Sequence, residues 1–326
     1  MLIMLHSSLV NKASSKRVPY GLMFHHFHGG IHRADGAGSL SQNNLDVLLE
    51  HAGINNILTP NDWISAFLAG ELSPSHRCLT FDDGLKSQID VALPVLQKYG
   101  LKAFWFICSA QYHDEYPQLD LFRKFRYQHF DTIEDYYHEF FRRLGGVSIQ
   151  SNESFKTWYK MMSATFPFYS KNDLIYRYIR DVLLSPSEYT ELVETMIRSH
   201  GLSVTDLATN LWLTESDLRS LHEEGHMLGL HSYDHPTSLS KLDELHQRNQ
   251  YSKNAAFIQT LSGQPISMAH PCNSYNKTTL SILAELGIKI GFRSNMTQLN
   301  YINSYYNNLQ CPRADAVNIL RHNCQS

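Results

Sequence analysis

The sequence of 326 residues lacks the features that direct a protein into a membrane or onto a nucleic acid. No window reaches the roughly 18 apolar residues of a membrane-spanning helix. The apolar start of the chain is only five residues long and carries no basic region or cleavage site of a signal peptide. The net charge of −3 gives no attraction to nucleic acid or to an anionic membrane surface. We therefore expect a cytoplasmic protein with no membrane span and no nucleic-acid partner.

The cysteines are too few and too scattered for a disulfide framework. They number five, an odd count, and their spacing shows no pairs, which fits a reducing compartment better than a secreted domain. Low-complexity tracts and repeats of fixed period are also absent, which argues against a solenoid. What is present is an ordinary globular composition, 43% hydrophobic and 18% charged, with length enough for one or two domains.

Strand and helix patterns alternate over the first 109 residues. Three short apolar runs predict buried strands: Val18–Phe24, Cys78–Phe81 and Ala103–Ser109. The helix between the first two runs is expected to begin after Ser41 and to end at Gly53. The helix after the second run contains Pro94, which should kink or limit it. This alternation predicts an α/β fold with a mostly parallel sheet.

The alternation stops between residues 110 and 210, where aromatic and charged residues recur at helical spacing without a strand pattern. It returns with Thr214 as a helix cap, Gly225 as a helix stop and a strand that ends at His231. We therefore predict that residues 1–109 and 211–326 are two parts of one α/β domain. Residues 110–210 are predicted to be a helical insertion.

Two adjacent carboxylates, Asp82 and Asp83, follow one predicted strand, and His231 and His235 follow another. Ligands of α/β folds bind beyond the carboxyl ends of the strands, so we expect the four side chains at one edge of the sheet. At helical or turn spacing, histidines four residues apart face the same way and can bind one metal ion. A carboxylate from Asp82 or Asp83 would complete three protein ligands, with an open position for water. A hydrolase also needs a base beside that water, which explains the second carboxylate.

Each pattern has an ordinary explanation when it is taken alone. Asp-Asp-Gly is a common connection from a strand to a turn, and two histidines four apart are often surface residues. Their joint position at the ends of neighbouring predicted strands favours a metal-dependent hydrolase over coincidence.

Three segments resemble motifs of the polysaccharide deacetylase family, the NodB-homology or carbohydrate esterase family 4 proteins. TFDDG (Thr80–Gly84) and HSYDHP (His231–Pro236) resemble the first two motifs, and MAHPCNSYN (Met268–Asn276) resembles a variant of the third. The resemblance covers 18–109 and 211–294 and leaves the helical insertion outside. It implies a distorted (β/α) barrel and the metal-dependent removal of an acetyl group from an N-acetylated sugar.

The resemblance also implies roles for individual residues. Asp82 is the expected general base, and Asp83, His231 and His235 are the expected ligands of a divalent metal, with Zn²⁺ the expected ion. The metal would activate water and polarise the acetamide carbonyl, while a backbone N–H near Cys272 would help to hold the oxyanion. The expected substrate-binding residues are Pro271, Cys272, Asn273 and Tyr275.

The third motif departs from the family pattern. Ala269 stands in place of the arginine that braces the base, and Cys272 stands in place of a tyrosine. We hypothesise that Arg313, in the segment CPRAD, braces Asp82 instead. Asn273 occupies a position where the family often has glycine, and asparagine tolerates a left-handed backbone.

The histidine that protonates the leaving amine in the family is not evident. His322 lies in a polar tail without a convincing strand before it. Just after the first strand, the segment FHHFHGGIH supplies His25, His26, His28 and His32, and His26 is our candidate for the catalytic acid. The alternative is that these are loop or core histidines.

Without an export signal, the expected substrate is a small saccharide or a nucleotide-linked sugar, used in surface-polysaccharide or glycoconjugate biosynthesis. The glycine-rich residues 32–41 precede a helix and could cradle a phosphate, although they lack the lysine and spacing of a P-loop. Two alternatives stay open. One is a C–N hydrolase of the same fold acting on a non-sugar amide, and the other is a non-catalytic sugar-binding relative.

Overall fold

A computed structural model describes residues 18–33, 38–145, 152–165, 169–297 and 307–323. The described residues cluster into two compact units. One unit comprises residues 18–121 and 208–323, here called the barrel unit, and the other comprises residues 122–207, here called the helical unit. The predicted insertion, 110–210, overlaps the helical unit, and its boundaries stay a prediction.

Seven short strands of the barrel unit form one parallel sheet. The strands are β1 (Tyr20–Phe24), β2 (Arg77–Asp82), β3 (Phe104–Ile107), β4 (Met227–Leu230), β5 (Ser267–Ala269), β6 (Ile290–Phe292) and β7 (Arg313–Asp315). Their spatial order is β6-β5-β4-β3-β2-β1-β7. The two edges approach each other, since Phe292 pairs with Cys311 just before β7. The sheet is therefore a nearly closed barrel, as the resemblance of the sequence motifs implied.

Thirteen α-helices are described along the chain. They are α1 (Gln42–Ala52), α2 (Pro60–Ala69), α3 (Leu93–Lys98), α4 (Gln118–Gln128), α5 (Ile133–Arg143), α6 (Glu153–Thr165), α7 (Lys171–Tyr178), α8 (Pro186–Ser199), α9 (Val204–Ala208), α10 (Glu215–Glu223), α11 (Glu244–Ser262), α12 (Lys277–Glu285) and α13 (Ala316–Asn323). None of the described helices is both long and apolar enough to cross a membrane.

The helix boundaries follow from local sequence. The Ser41 hydroxyl accepts a hydrogen bond from the Asn44 backbone N–H, the Asn44 side chain returns one to Ser41, and α1 ends before Gly53 with φ of 78°. Thr214 caps α10 in the same reciprocal way. Both caps were predicted and both are confirmed. Three leucines of α1 are buried against the barrel, and burial of each such side chain contributes about 2 kcal/mol.

Successive residues of β3 point to opposite faces of the barrel wall. Phe104 and Phe106 belong to the cluster inside the barrel, where Trp63 of α2 also packs. Trp105 faces the surrounding helices and stacks on Phe81 at 4.6 Å between ring centroids. All of β3 is buried, so the prediction of a strand buried on both faces is confirmed.

The helix after β2 is irregular where the sequence contains Pro94. Residues Gln88–Ala92 form a π-helical turn, and regular α-helix begins only at Leu93. Proline has no N–H to donate to the residue four positions earlier, so the wider turn accommodates it. The predicted limit at Pro94 is confirmed, and the π turn before it places Gln88 at the end of the barrel.

The helical unit contains helices but no strand among its described residues. Its core is aromatic: Tyr136, Phe140 and Tyr176 lie with ring centroids 5.0 to 6.0 Å apart. Such ring pairs add about 1 kcal/mol each to the burial of their area. These aromatic residues therefore serve as core within this unit.

Candidate active site

The four residues singled out in the sequence lie together at the carboxyl edge of the barrel. Asp82 ends β2 and Asp83 follows it, while His231 follows β4 and His235 ends the loop after it. β3 lies between β2 and β4 in the sheet, and the strands are parallel, so their carboxyl ends share one edge. The fold thus brings together residues that are 148 positions apart or more.

Asp83, His231 and His235 present three ligand atoms to one point. The Nε2 atoms of His231 and His235 lie 3.3 and 3.4 Å from Asp83 Oδ1, and the three ligand atoms lie within 4.8 Å of one another. All three side chains are buried, yet Asp83 Oδ1 forms no hydrogen bond with any described residue. A buried carboxylate oxygen without a partner is destabilising unless a cation satisfies it. Two imidazole nitrogens and one carboxylate oxygen suit Zn²⁺, so the residues present fit a divalent cation.

The orientation of His231 and the neutral state of His235 suit metal binding. His231 Nδ1 donates to the carbonyl oxygen of Ala269 at 2.9 Å, which turns its Nε2 lone pair towards Asp83. Burial lowers the pKa of His235 to about 4 despite the nearby carboxylate, so this ring is neutral near pH 7. Burial alone would raise the pKa of Asp83, but the neighbouring imidazoles of His231 and His235 outweigh it and lower that pKa.

The backbone around the site is left-handed at five non-glycine residues. Only seven described non-glycine residues have positive φ. The five at the site are Asp83 (75°), Ser232 (67°), His235 (59°), Cys272 (48°) and Asn273 (56°). Each such conformation costs on the order of 1–3 kcal/mol and persists only where the surroundings impose it. The Asn273 side chain also accepts a hydrogen bond from the Ser294 N–H at 3.0 Å, which ties the third motif to the end of β6.

Arg313 lies against Asp82 inside the barrel. Its NH1 and NH2 atoms donate to the two carboxylate oxygens at 2.6 and 2.7 Å, and both residues are buried. The arginine side chain passes Gly21, where an added Cβ would lie 3.2 Å from Arg313 Cγ. Burial alone would raise the pKa of Asp82, but the guanidinium outweighs burial and holds that pKa below its ordinary value. Asp82 is therefore ionised and fixed in orientation.

The four histidines after β1 have different partners. His25 Nε2 lies 3.7 Å from Asp82 Oδ2, and its side chain is 32% exposed. His26 Nε2 lies 3.8 Å from Asp120 Oδ1 instead. His28 forms a hydrogen bond with Ser39, and His32 forms one with Asp90. The geometry favours His25 over His26 as the acid, and the role of His26 stays a prediction. The His322 side chain and residues 34–37 of the glycine-rich segment lie outside the described residues.

The substrate-binding candidates of the third motif differ in exposure and in their contacts. Pro271 is buried, whereas Cys272 is exposed beside it. Tyr275 stacks on His270 at 4.0 Å between ring centroids and donates to Gln310 Oε1 at 3.1 Å. Tyr275 therefore has partners within the barrel unit, and a role in substrate binding stays a prediction.

Two buried amide side chains near the site, Gln88 and Asn254, were not predicted from the sequence. Gln88 follows the first motif by four residues, and Asn254 lies in the middle of α11. Neither belongs to a recognisable motif, and only the contacts in the folded chain connect them to the site.

A family model for polysaccharide deacetylases matches residues 69–129 and 178–291, which is more than half of the chain. Among curated proteins, the chain is 29% identical over 102 residues to the uncharacterized protein YlxY of Bacillus subtilis (strain 168). That match covers 30% of this chain and only 32% of the relative.

Solved structures with the same fold cover almost all of the chain. The Streptococcus pyogenes deacetylase PplD in complex with acetate matches with a TM-score of 0.53 and 17% identity, covering 93% of this chain and 96% of that one. BC0361, a polysaccharide deacetylase from Bacillus cereus, matches with a TM-score of 0.51 and 12% identity, covering 93% of this chain and 68% of that one. IcaB from Ammonifex degensii matches with a TM-score of 0.50 and 13% identity, covering 92% of each chain. At these identities the likeness concerns the fold.

Proposed function

The chain belongs to the polysaccharide deacetylase family, and from this premise we propose that it is a metal-dependent hydrolase that removes an N-acetyl group from a carbohydrate. The observation that carries the proposal is the buried set of Asp83, His231 and His235 beside an Asp82 carboxylate that Arg313 clamps. The proposed substrate is a small saccharide or a nucleotide-linked sugar in surface-polysaccharide or glycoconjugate biosynthesis. The match to YlxY spans about a third of that protein and says nothing of a substrate.

Asp83, His231 and His235 would hold the divalent cation, with Zn²⁺ the proposed ion. When bound there, the cation would supply Lewis-acid polarisation of the acetamide carbonyl and of the attacking water. Asp82 accepts the proton of that water, and Arg313 keeps Asp82 ionised and aimed, which a general base requires. Since Arg313 binds both carboxylate oxygens, the proton would go to a remaining lone pair of Asp82.

His25 is the proposed acid of the reaction. Its ring lies 3.7 Å from Asp82 and is partly exposed, so it has both a charged neighbour and access to solvent. His25 would give a proton to the leaving nitrogen as the C–N bond breaks, and the products are acetate and a free amine. A backbone N–H near Cys272 would stabilise the oxyanion of the tetrahedral intermediate.

One similar structure supports the choice of reaction. The Streptococcus pyogenes deacetylase is in complex with acetate, which is a product of the reaction proposed here.

Metal analysis and acetate release test the proposal together. We expect about one divalent ion per wild-type chain and acetate release from at least one member of a panel of N-acetyl sugars and their nucleotide-linked forms. The variant His231→Ala/His235→Ala should lose both the metal and the acetate release. The matched control is His51→Ala/His246→Ala, because both of those histidines are exposed, and it should keep both.

The other outcomes separate the alternatives. Bound metal without acetate from any sugar would keep the site and indicate a different amide or a binding role. No metal in the wild type would mean that Asp83, His231 and His235 do not form a metal site.

A further inference from the structure

The Gln88 side chain bridges the ends of β1 and β2. Its Nε2 donates to the carbonyl oxygens of His25 at 2.8 Å and of Asp82 at 2.6 Å. Both partners are acceptors, so the orientation of the amide is fixed. Gln88 is completely buried and stands at the first position of the π-helical turn. Such turns often occur at functional sites.

The Asn254 side chain bridges β3 and β4 in a similar way. Its Nδ2 donates to the carbonyl oxygen of Ile107 at 3.0 Å, and its Oδ1 accepts from the His231 N–H at 3.0 Å. Asn254 is also completely buried. One turn earlier on α11, Gln250 Oε1 accepts from the N–H groups of Tyr233 and Asp234. Helix α11 therefore holds the backbone of the loop that carries both histidine ligands.

Both bridges stand where the ladders between strands end. The last paired residues are Phe24 with Phe81 between β1 and β2, and Ile107 with Leu230 between β3 and β4. The His231 N–H also donates to the Ile107 carbonyl oxygen at 3.2 Å. Buried backbone groups at strand ends need partners, and the two amides add hydrogen bonds to these groups.

We propose that Gln88 and Asn254 are positioning residues that set the distance between the carboxylate and imidazole ligands of the site. Gln88 fixes the carbonyl of Asp82, the peptide that leads directly into Asp83. Asn254 fixes the N–H of His231. The inference rests on the proposed function only in taking Asp83 and His231 as metal ligands.

A purely structural role predicts something different. Any buried amide that loses its hydrogen bonds lowers stability, wherever it lies. Gln247 of α11 provides the matched control, since it is buried, donates to the Leu242 carbonyl at 2.8 Å and accepts from Thr279 Oγ1 at 2.6 Å. None of these partners belongs to the site.

The experiment compares Gln88→Met, Asn254→Leu and Gln247→Met. Zn²⁺ affinity is measured by competition with a chelating dye, and the melting temperature is measured on metal-free protein. We expect all three variants to melt a few degrees below the wild type. The Kd for Zn²⁺ should rise about tenfold or more in the first two, the range for lost supporting contacts of metal ligands. It should not change in Gln247→Met.

Equal changes in Zn²⁺ affinity across the three variants, or none in Gln88→Met and Asn254→Leu, would overturn the proposal. If the larger replacements do not fold, Gln88→Asn and Asn254→Ser serve with Gln247→Asn as control, because the shorter side chains cannot span both partners. Failure of wild type to bind Zn²⁺ overturns the proposal together with the metal site. If the wild type binds Zn²⁺ but releases no acetate, only the deacetylase proposal is contradicted. The Zn²⁺ affinities of the three variants then still decide the positioning role.

Discussion

The two ends of strand β4 each carry a buried histidine, and the two histidines behave in opposite ways. His226 precedes the strand at the amino end of the barrel, and His231 follows it at the carboxyl end. Burial lowers the pKa of His226 to about 4. Burial acts in the same direction on His231, but Asp82 and Asp83 outweigh it and raise that pKa.

The difference shows what separates a core histidine from a candidate site histidine. His226 accepts a hydrogen bond from the Ala103 N–H at 3.1 Å and packs edge-on against Trp105, so it serves as a neutral part of the core. His231 has a backbone partner too, but it faces two carboxylates. Burial alone does not indicate function, whereas burial together with concentrated charge identifies a candidate site.

The largest expected effect comes from removing the charge of Arg313 that pairs with Asp82 at the carboxyl end of the barrel. In Arg313→Met, Asp82 stays buried without its partner, and we expect a loss of about 3–5 kcal/mol of unfolding free energy. The value of kcat/KM should fall by about 100-fold or more, because Asp82, the proposed base, loses its orientation. Metal content should not change, since Arg313 is not one of the three ligand residues. Urea unfolding, acetate release and metal analysis check these expectations.

The double variant Arg313→Met/Asp82→Asn serves as the control for the charge. It removes the buried carboxylate as well, so it should regain much of the lost stability without regaining activity. Arg313→Met with wild-type activity and metal content would show that Arg313 does not brace the base.

Much of the fold could be predicted because its signals are local. The caps at Ser41 and Thr214, the apolar run of β3 and the glycine stop at Gly53 each depend on neighbouring residues. β5 and β7 have three residues each, which is too short for a period to be visible. Helix α11 has apolar and polar residues mixed around its axis, and its helical pattern is correspondingly weak.

Apart from the contact between Arg313 and Asp82, the site could be predicted only where a motif carried it. Asp82, Asp83, His231 and His235 belong to two motifs that strand ends bring together. The choice between His25 and His26 depends on which side chain of two neighbours turns towards Asp82, and spacing does not determine this. Gln88 and Asn254 bind backbone groups, which every residue has, so no residue pattern identifies them.

The second prediction concerns His226 and pH. Its folded pKa, about 4, lies below its ordinary value of 6.5, so the unfolded chain takes up a proton first as the pH falls. The neutral His226 ring therefore contributes fully to the unfolding free energy above pH 6.5. This contribution decreases as the pH falls towards 4 and amounts to about 3 kcal/mol in total. Urea unfolding across this range should show a smaller decrease for His226→Gln than for the wild type. Parallel curves for the two proteins would contradict the assignment of a buried neutral ring.

The smallest expected effect tests the packing of β4 between its two histidines. An added Cβ at Gly229 would lie 2.5 Å from Ser267 Oγ and 2.7 Å from the ring of Phe106. Gly229→Ala should therefore lower the unfolding free energy by about 1–3 kcal/mol through overpacking. Within the described part of the chain, Ser267 Oγ has no hydrogen-bond partner. Ser267→Ala alone should therefore be nearly neutral, and the double variant should recover part of the loss. If the two single changes in unfolding free energy add up strictly in the double variant, the Phe106 ring, not Ser267, limits the space at the centre of the strand.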